Sequence, residues 1–252
     1  MVVISKILKQ WVQPVVKPIL ASLLLVGSVS MPVSVWASPD APQENVDYRK
    51  LPTAQGTVAD AGKIEVLEFF WYGCSHCYAF EPQLQSWTKK QAADVQLVKV
   101  PVAFAESEQP KQKTYYTLQA LGKETQLHGK FFDGIHKDRV RLNDDSAIAD
   151  FMEKQGIDKK TWQAAFTSFS VQIKAQRARK MAEAYKVDGV PMMAVNGKYL
   201  IEPGMTGGTD NMLKVVDFLV QKERELLASS KSDAKTKAQE PKKDAKKPAQ
   251  KK

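Results

Sequence analysis

Only two cysteines occur in the 252 residues, and they stand three apart in the stretch Phe69-Phe70-Trp71-Tyr72-Gly73-Cys74-Ser75-His76-Cys77-Tyr78. Such a pair can do dithiol–disulfide exchange if one sulfur is held as a thiolate, the form that attacks. The first turn of a helix supplies what a thiolate needs: N–H groups without intrahelical partners and partial positive charge from the aligned peptides. His76, in that same turn, can add a hydrogen bond or a positive charge to the Cys74 sulfur. Cys77 falls almost one turn further along, close enough to close a disulfide, and is expected to be buried. Each unit by which a thiolate pKa falls stabilises the reduced state by about 1.4 kcal/mol. The disulfide then becomes easier to reduce and a better oxidant of other proteins.

Other uses of the pair fit less well. A zinc site needs further ligands, yet there is no second cysteine pair, and only His128 and His136 remain to serve from elsewhere, so no metal is expected. A covalently attached haem needs His directly after the second cysteine, where Tyr78 stands. A structural disulfide closing so short a loop would constrain the unfolded chain little.

The elements that must position the sulfurs are legible as pattern. Lys63 to Tyr72 is an apolar, aromatic run expected to form a buried central strand, with Gly73 marking the turn. From Ser75 to about Lys90, Cys77, Phe80, Leu84 and Trp87 recur at helical spacing. Val95 to Phe104 reads as a second core strand, parallel to the first because a helix separates them, with Pro101 near its end. Asp47 to Leu51 suggests a short edge strand.

The period then changes. Helices are expected over 111–121, 124–137, 145–155, 159–166 and 171–186, with N-caps in Asn143–Ser146 and at Asp158, and stops at Gly122, Gly134 and Gly156. Strand signal returns at Met192–Val195 and Lys198–Ile201, joined by Asn196-Gly197, the pair that favours a type I′ turn. A last amphipathic helix is expected from Thr209 to Leu227. His128 and His136 are expected on helix surfaces without a role.

Both ends differ from this body. Residues 1–37 carry Lys6, Lys9 and Lys17 and no acid, then an apolar core from Ile19 to Val29, then Val35-Trp36-Ala37. That order reads as a secretory signal cleaved near Ala37, the alternative being an uncleaved membrane anchor, so the pair is expected to work outside the cytosol, where disulfides persist. Residues 231–252 hold nine lysines against Asp233, Glu240 and Asp244. With the three lysines of the signal, this tail accounts for the whole formal charge of +9, leaving 38–230 neutral. Too few apolar residues remain beyond 229 to order such a tail, which reads as a solvating appendage or an electrostatic tether. The lysines would suit nucleic acid, but the export signal does not, and no nucleic-acid role is expected.

The order βαβ, helical block, ββα, with the cysteine pair opening the first helix, is similar to the thioredoxin fold, and the long insert resembles the DsbA branch of thiol:disulfide oxidoreductases. The likeness rests on Val66-Leu67-Glu68-Phe69-Phe70, on Cys74 to Glu81, and on Gly189-Val190-Pro191 through Tyr199, and it spans Val66 to Met205. It implies an α/β chain with a thioredoxin-like domain in two halves (38–106 and 188–228) and a helical insertion between them (107–187); the signal peptide (1–37) and the disordered Lys-rich tail (229–252) lie outside the likeness.

The resemblance also implies roles. Cys74 becomes the exposed nucleophile, Cys77 its buried partner, and His76 the histidine of the dipeptide between them. Val190-Pro191 becomes a cis-proline loop beside the sulfurs, Glu68 and Lys99 the buried acid and its partner, and Glu81 a further tuning acid. Ser75 stands where the best-known members have proline, which presets a helix start, and Trp71-Tyr72-Gly73 departs from the usual aromatic run. Val190 and Trp71 are expected to meet substrate, with the Val190 backbone free to pair with an extended chain.

The residues themselves leave some choices open. Glu68 interrupts an apolar strand, and a buried carboxylate is costly unless paired or protonated. It reads either as a proton acceptor for Cys77 or as half of a structural ion pair. Glu81, four residues after Cys77, reads as a solvated charge or a tuning group, and Met192, Met193 and Met205 as an adaptable patch for unfolded chains or as plain core.

The function expected is an exported dithiol oxidase that passes its Cys74–Cys77 disulfide to unfolded exported proteins in a periplasm. It would act as a monomer without metal or organic cofactor and be reoxidised by a quinone-linked membrane partner of the DsbB type. The rivals are a reductive thiol-transfer protein or isomerase of the same fold, and a peptide-binding chaperone whose cysteines are incidental.

Overall fold

The computed structural model describes the backbone of residues 42–239 and side chains from 42 to 230. The signal segment, and the tail beyond 239, lie outside the described residues.

A five-stranded sheet in the order β1-β5-β4-β2-β3 forms the centre. Its strands are β1 (Arg49–Lys50), β2 (Ile64–Phe70), β3 (Val95–Pro101), β4 (Met192–Val195) and β5 (Tyr199–Ile201). β2 runs parallel to β3 and antiparallel to β4, and the β4–β5 hairpin adds β1 at its far edge. α1 (Ser75–Lys90) connects β2 to β3, as a parallel pair requires. Five helices follow before β4: α2 (Gln109–Ala120), α3 (Glu124–His136), α4 (Asp145–Lys154), α5 (Lys159–Phe166) and α6 (Phe169–Ala184). A single turn, α7 (Pro203–Thr206), precedes the terminal α8 (Thr209–Gln239). The helical insertion within a split thioredoxin-like sheet is therefore present.

β2 is buried along its whole length because helices cover both faces of the sheet. Leu67, Phe69 and Phe70 pack with the insert, against Phe131, Phe132 and Tyr185. Ile64 and Val66 pack with Phe80 and Leu84 of α1 and with Met212, Val216 and Leu219 of α8. The strand carrying the chain into Cys74 is thus held from both sides. At the turn between β4 and β5, Asn196 and Gly197 both have positive φ, 49° and 69°, as a type I′ turn demands. Asn196 and Lys198 each donate to the fully buried Glu223 carboxylate at 2.6 Å, fastening the hairpin to α8.

Two local expectations are corrected, and one open choice is decided. Gly122 and Gly156 do follow α2 and α4, but Gly134 lies inside α3, where a Cβ would come within 2.7 Å of the Phe151 ring. It is a close-packing residue, not a stop. The expected disordered tail gives way to helix through Gln239. Residues 228–239 contain neither Gly nor Pro, and extending an existing helix through Ala, Lys and Gln needs no new nucleus. Met192 and Met193 are core residues of β4, 1% and 0% exposed. Among the described residues no helix is long and apolar enough to cross a membrane.

Candidate active site

Cys74 is the N-cap of α1, with extended backbone (φ −85°, ψ 118°), and its sulfur accepts a hydrogen bond from the Cys77 N–H at 3.4 Å. The Cys74 N–H donates back to the Trp71 carbonyl at 2.9 Å, closing the turn that leaves β2. Both cysteines are free thiols in this structure, Cys74 half-buried and Cys77 wholly buried. The Cys74 thiol also donates to the Val190 carbonyl at 3.4 Å, and the Val190–Pro191 peptide bond is cis. The loop expected beside the sulfurs is therefore there. Ser75 and His76 are exposed on the first turn.

The environment separates the two thiols. The Cys77 thiol donating to Cys74, with the backbone N–H groups of Cys77 and His76 and the positive charge of His76, lowers the Cys74 pKa to about 6. Burial pushes Cys77 far the other way, and its bond to Cys74 and the nearby charge of Glu68 add to the rise. The expected result is a titration of the reduced protein's 240 nm absorbance with one thiolate forming near pH 6 and no second one below pH 10. A single step near the free-thiol value would contradict it.

Trp71 is half-buried, and its ring lies across Gly73 so closely that a Cβ there would sit 2.3 Å from it. Glycine at 73 is what lets the indole fold over the turn.

Behind Cys77 lies a charged cluster. Glu68 and Lys99 are direct neighbours in the parallel register of β2 and β3, with Lys99 Nζ 3.8 Å from Glu68 Oε2. Glu68 is 1% exposed; burial raises its pKa to about 8 despite the lowering effect of Lys99. Glu81, read as either a solvated charge or a tuning group, is 5% exposed and pairs with Lys99 at 2.5 Å. Burial opposes its charge, while the Lys99 ammonium bonded to Oε1 lowers its pKa. Lys99 thus sits between one ionised and one mostly neutral carboxyl at pH 7.

The two histidines assigned to helix surfaces are the main correction. His128 is 3% exposed, with Nδ1 2.7 Å from the Tyr72 hydroxyl and Nε2 2.9 Å from Lys99 Nζ. Burial and the Lys99 charge lower its pKa, so the imidazole is neutral. His136 is half-buried, stacks on Tyr78 at 4.9 Å and donates from Nε2 to the Tyr72 carbonyl at 2.8 Å. With Phe132 between them, the two lie at i, i+4 and i+8 on the face of α3 that carries Leu127 and Phe131 into the core. That stripe was the signal in the sequence: a histidine in phase with core residues faces inward. Among the described residues no group of His, Cys, Asp or Glu side chains converges to hold a metal ion.

Comparison with known proteins agrees with this geometry. Residues 65–220 match the DSBA-like thioredoxin domain family. The thiol:disulfide interchange protein DsbA of Burkholderia cepacia is 40% identical over 205 residues, covering 81% of this chain and 96% of that protein. The same-named protein of Azotobacter vinelandii is 44% identical over 177 residues, covering 70% and 82%. The crystal structure of Pseudomonas aeruginosa DsbA matches with a TM-score of 0.69 at 39% identity, over 72% of this chain and 94% of that one. A thiolate-forming N-cap cysteine, a buried partner, a facing cis-proline loop and these relatives lead to one assignment: the chain belongs to the DSBA-like thioredoxin domain family and is a thiol:disulfide oxidoreductase of the DsbA type.

Proposed function

We propose that this chain oxidises cysteine pairs of exported proteins in the periplasm by donating its Cys74–Cys77 disulfide. The observation that carries the reading is the opposite ionisation of the two sulfurs, Cys74 lowered to about 6 and Cys77 raised. A substrate thiolate attacks the Cys74 sulfur, the bond to Cys77 breaks, and its electron pair leaves on Cys77, which takes up a proton. A second substrate thiolate then attacks the substrate sulfur of the mixed disulfide and expels Cys74 as the stabilised thiolate. Two electrons pass from substrate to enzyme, and the reduced dithiol is the low-energy product.

The surroundings support a peptide substrate. A cleft of about 530 Å³ lies beside Cys74, lined by His76, Phe80, Val190, Pro191 and Met192 among others. It is mostly apolar and open, as an extended unfolded chain requires, and its Val190 edge offers backbone groups for strand pairing. Trp71 folds over the turn that presents that sulfur. Glu68, with Lys99 and Glu81, serves the proton that Cys77 takes up and gives back. Residues 1–37 act as the export signal, a quinone-linked membrane protein of the DsbB type restores the disulfide, and the enzyme works as a monomer with no cofactor beyond its own sulfurs.

Equilibration with a graded series of reduced and oxidised glutathione tests the direction of the chemistry. The expected result is an enzyme already fully reduced in mixtures that leave ordinary structural disulfides intact. A protein that stays oxidised in moderately reducing mixtures would instead be a reductant. A chaperone with incidental cysteines would keep its holdase activity as the Cys74→Ser variant.

A further inference from the structure

His128 has no part in the exchange as described above, yet it touches both the charged cluster and the turn that presents Cys74. An ammonium can only donate hydrogen bonds, so the 2.9 Å contact from Lys99 Nζ requires a lone pair on His128 Nε2. The ring proton then sits on Nδ1 and is donated to the Tyr72 hydroxyl oxygen, 2.7 Å away. This tautomer also accounts for Glu81 Oε2, which lies 3.3 Å from Nε2 and has no hydrogen-bond partner among the described residues.

The imidazole therefore does two things at once. It gives Lys99 a second anchor besides Glu81 Oε1, fixing the ammonium where its third N–H faces Glu68 Oε2. On its other side it holds Tyr72, two residues before Cys74, whose carbonyl His136 holds from the same helix. The insert thereby grips the turn of the thioredoxin-like half at both ends of one side chain. A cleft of about 480 Å³, lined by Glu81, Thr88, Lys99, Glu124, Thr125 and His128 among others, opens onto this cluster on the flank of α1 away from Pro191.

We propose that His128 is a positioning residue for the dithiol: a neutral imidazole that pins Lys99 against Glu68 and Tyr72 against the Cys74 turn, so that proton exchange at Cys77 runs through one fixed arrangement. The inference rests on the exchange reading above. Groups facing His128 that bear on its charge are Tyr72 of the turn, Glu81 of α1, Lys99 of β3, Tyr115 of α2 and Glu124 of its own helix. Phe70 and Phe132 close the remaining faces.

Without His128, Lys99 keeps only its bond to Glu81 and is free to follow it toward the open cleft. Glu68 then loses part of the positive charge that counters its burial, and its carboxyl titrates higher still. The test is the pH profile of oxidation of a peptide containing two cysteines, read from pH 6 to 10 with thermal unfolding measured in parallel. Wild type is expected to show an inflection near pH 8, where Glu68 titrates. His128→Leu is expected to move it upward by about one pH unit, and His128→Gln, whose amide oxygen can accept from Lys99, to restore it. A lower unfolding temperature with an unmoved inflection would make His128 a packing residue and overturn the inference, while absence of oxidation at any pH in wild type would overturn the reading beneath it.

If His128→Leu does not fold, imidazole ¹⁵N spectra of the wild-type protein decide. An unprotonated Nε2 from pH 5 to 8 upholds the arrangement. A protonated Nε2, or titration at the ordinary histidine value, overturns it.

Discussion

Cys74→Ser abolishes oxidation of a dithiol peptide, a loss of at least about a thousandfold, because a hydroxyl can form no disulfide and nothing else in the chain can. Only Cys77 remains, wholly buried and with its thiol pushed far above the ordinary range, so it cannot substitute. Cys77→Ser fails differently. The Cys74 sulfur stays partly accessible and still forms a mixed disulfide when offered an activated peptide disulfide, but no neighbouring thiol is left to resolve it. Adducts accumulate on a non-reducing gel while turnover stops. A Cys77→Ala variant removes the largest contribution lowering the Cys74 pKa, the hydrogen bond from the Cys77 thiol, so its remaining thiol is expected to titrate above pH 6. Residual turnover in Cys74→Ser, or a Cys77→Ala thiol still ionising at wild-type pH, would remove the thiolate from the centre of the mechanism.

How much of this was readable beforehand depends on the range over which each residue acts. The Cys74–Cys77 turn, the helix beginning at Ser75 and the Asn196-Gly197 hairpin are set by contacts a few residues long, and they stand where the pattern put them. The Glu68–Lys99 pair was legible because a parallel β2–β3 pairing brings an isolated acid and an isolated base to the same level. Glu81 was half legible: its place on α1 followed from periodicity, but its burial depends on α3 closing over it. His128 and His136 were missed because they were weighed as single polar residues. Their phase with Leu127, Phe131 and Phe132 puts them on the face that the insert lays against the sheet. Helix propensity also outran composition at the carboxyl end, where Lys and Ala read as disorder but continue α8.

The buried cluster makes the second large effect a matter of stability. Lys99→Met keeps most of the side-chain volume and removes the one ammonium between Glu68 and Glu81. Breaking a buried pair by removing one partner leaves an uncompensated charge and costs about 3–5 kcal/mol. The pH dependence separates charge from packing. The Lys99 ammonium lowers the Glu81 pKa in the folded protein, so its stabilising contribution is present above the unfolded carboxylate range and is lost as pH falls through the lowered value. Glu68 runs the other way: its pKa is raised to about 8, so its protonated form favours folding at low pH and that benefit is lost as pH rises through 8. Removing Lys99 raises both carboxyls, and both can then be relieved by taking up protons. The deficit of Lys99→Met in urea unfolding is therefore expected to be largest at pH 7 and above and to shrink by pH 4, where Glu81 can be neutral in the variant. Lys99→Met combined with Glu81→Gln should recover most of the loss at pH 7, since the charge needing the ammonium is gone. An equal deficit at pH 4 and pH 7, with no recovery in the double variant, would mean that Lys99 acts through its aliphatic stem alone. The cluster behind Cys77 would then be a packed wall, and the proton needed by the leaving sulfur would have to arrive from the side where substrate binds.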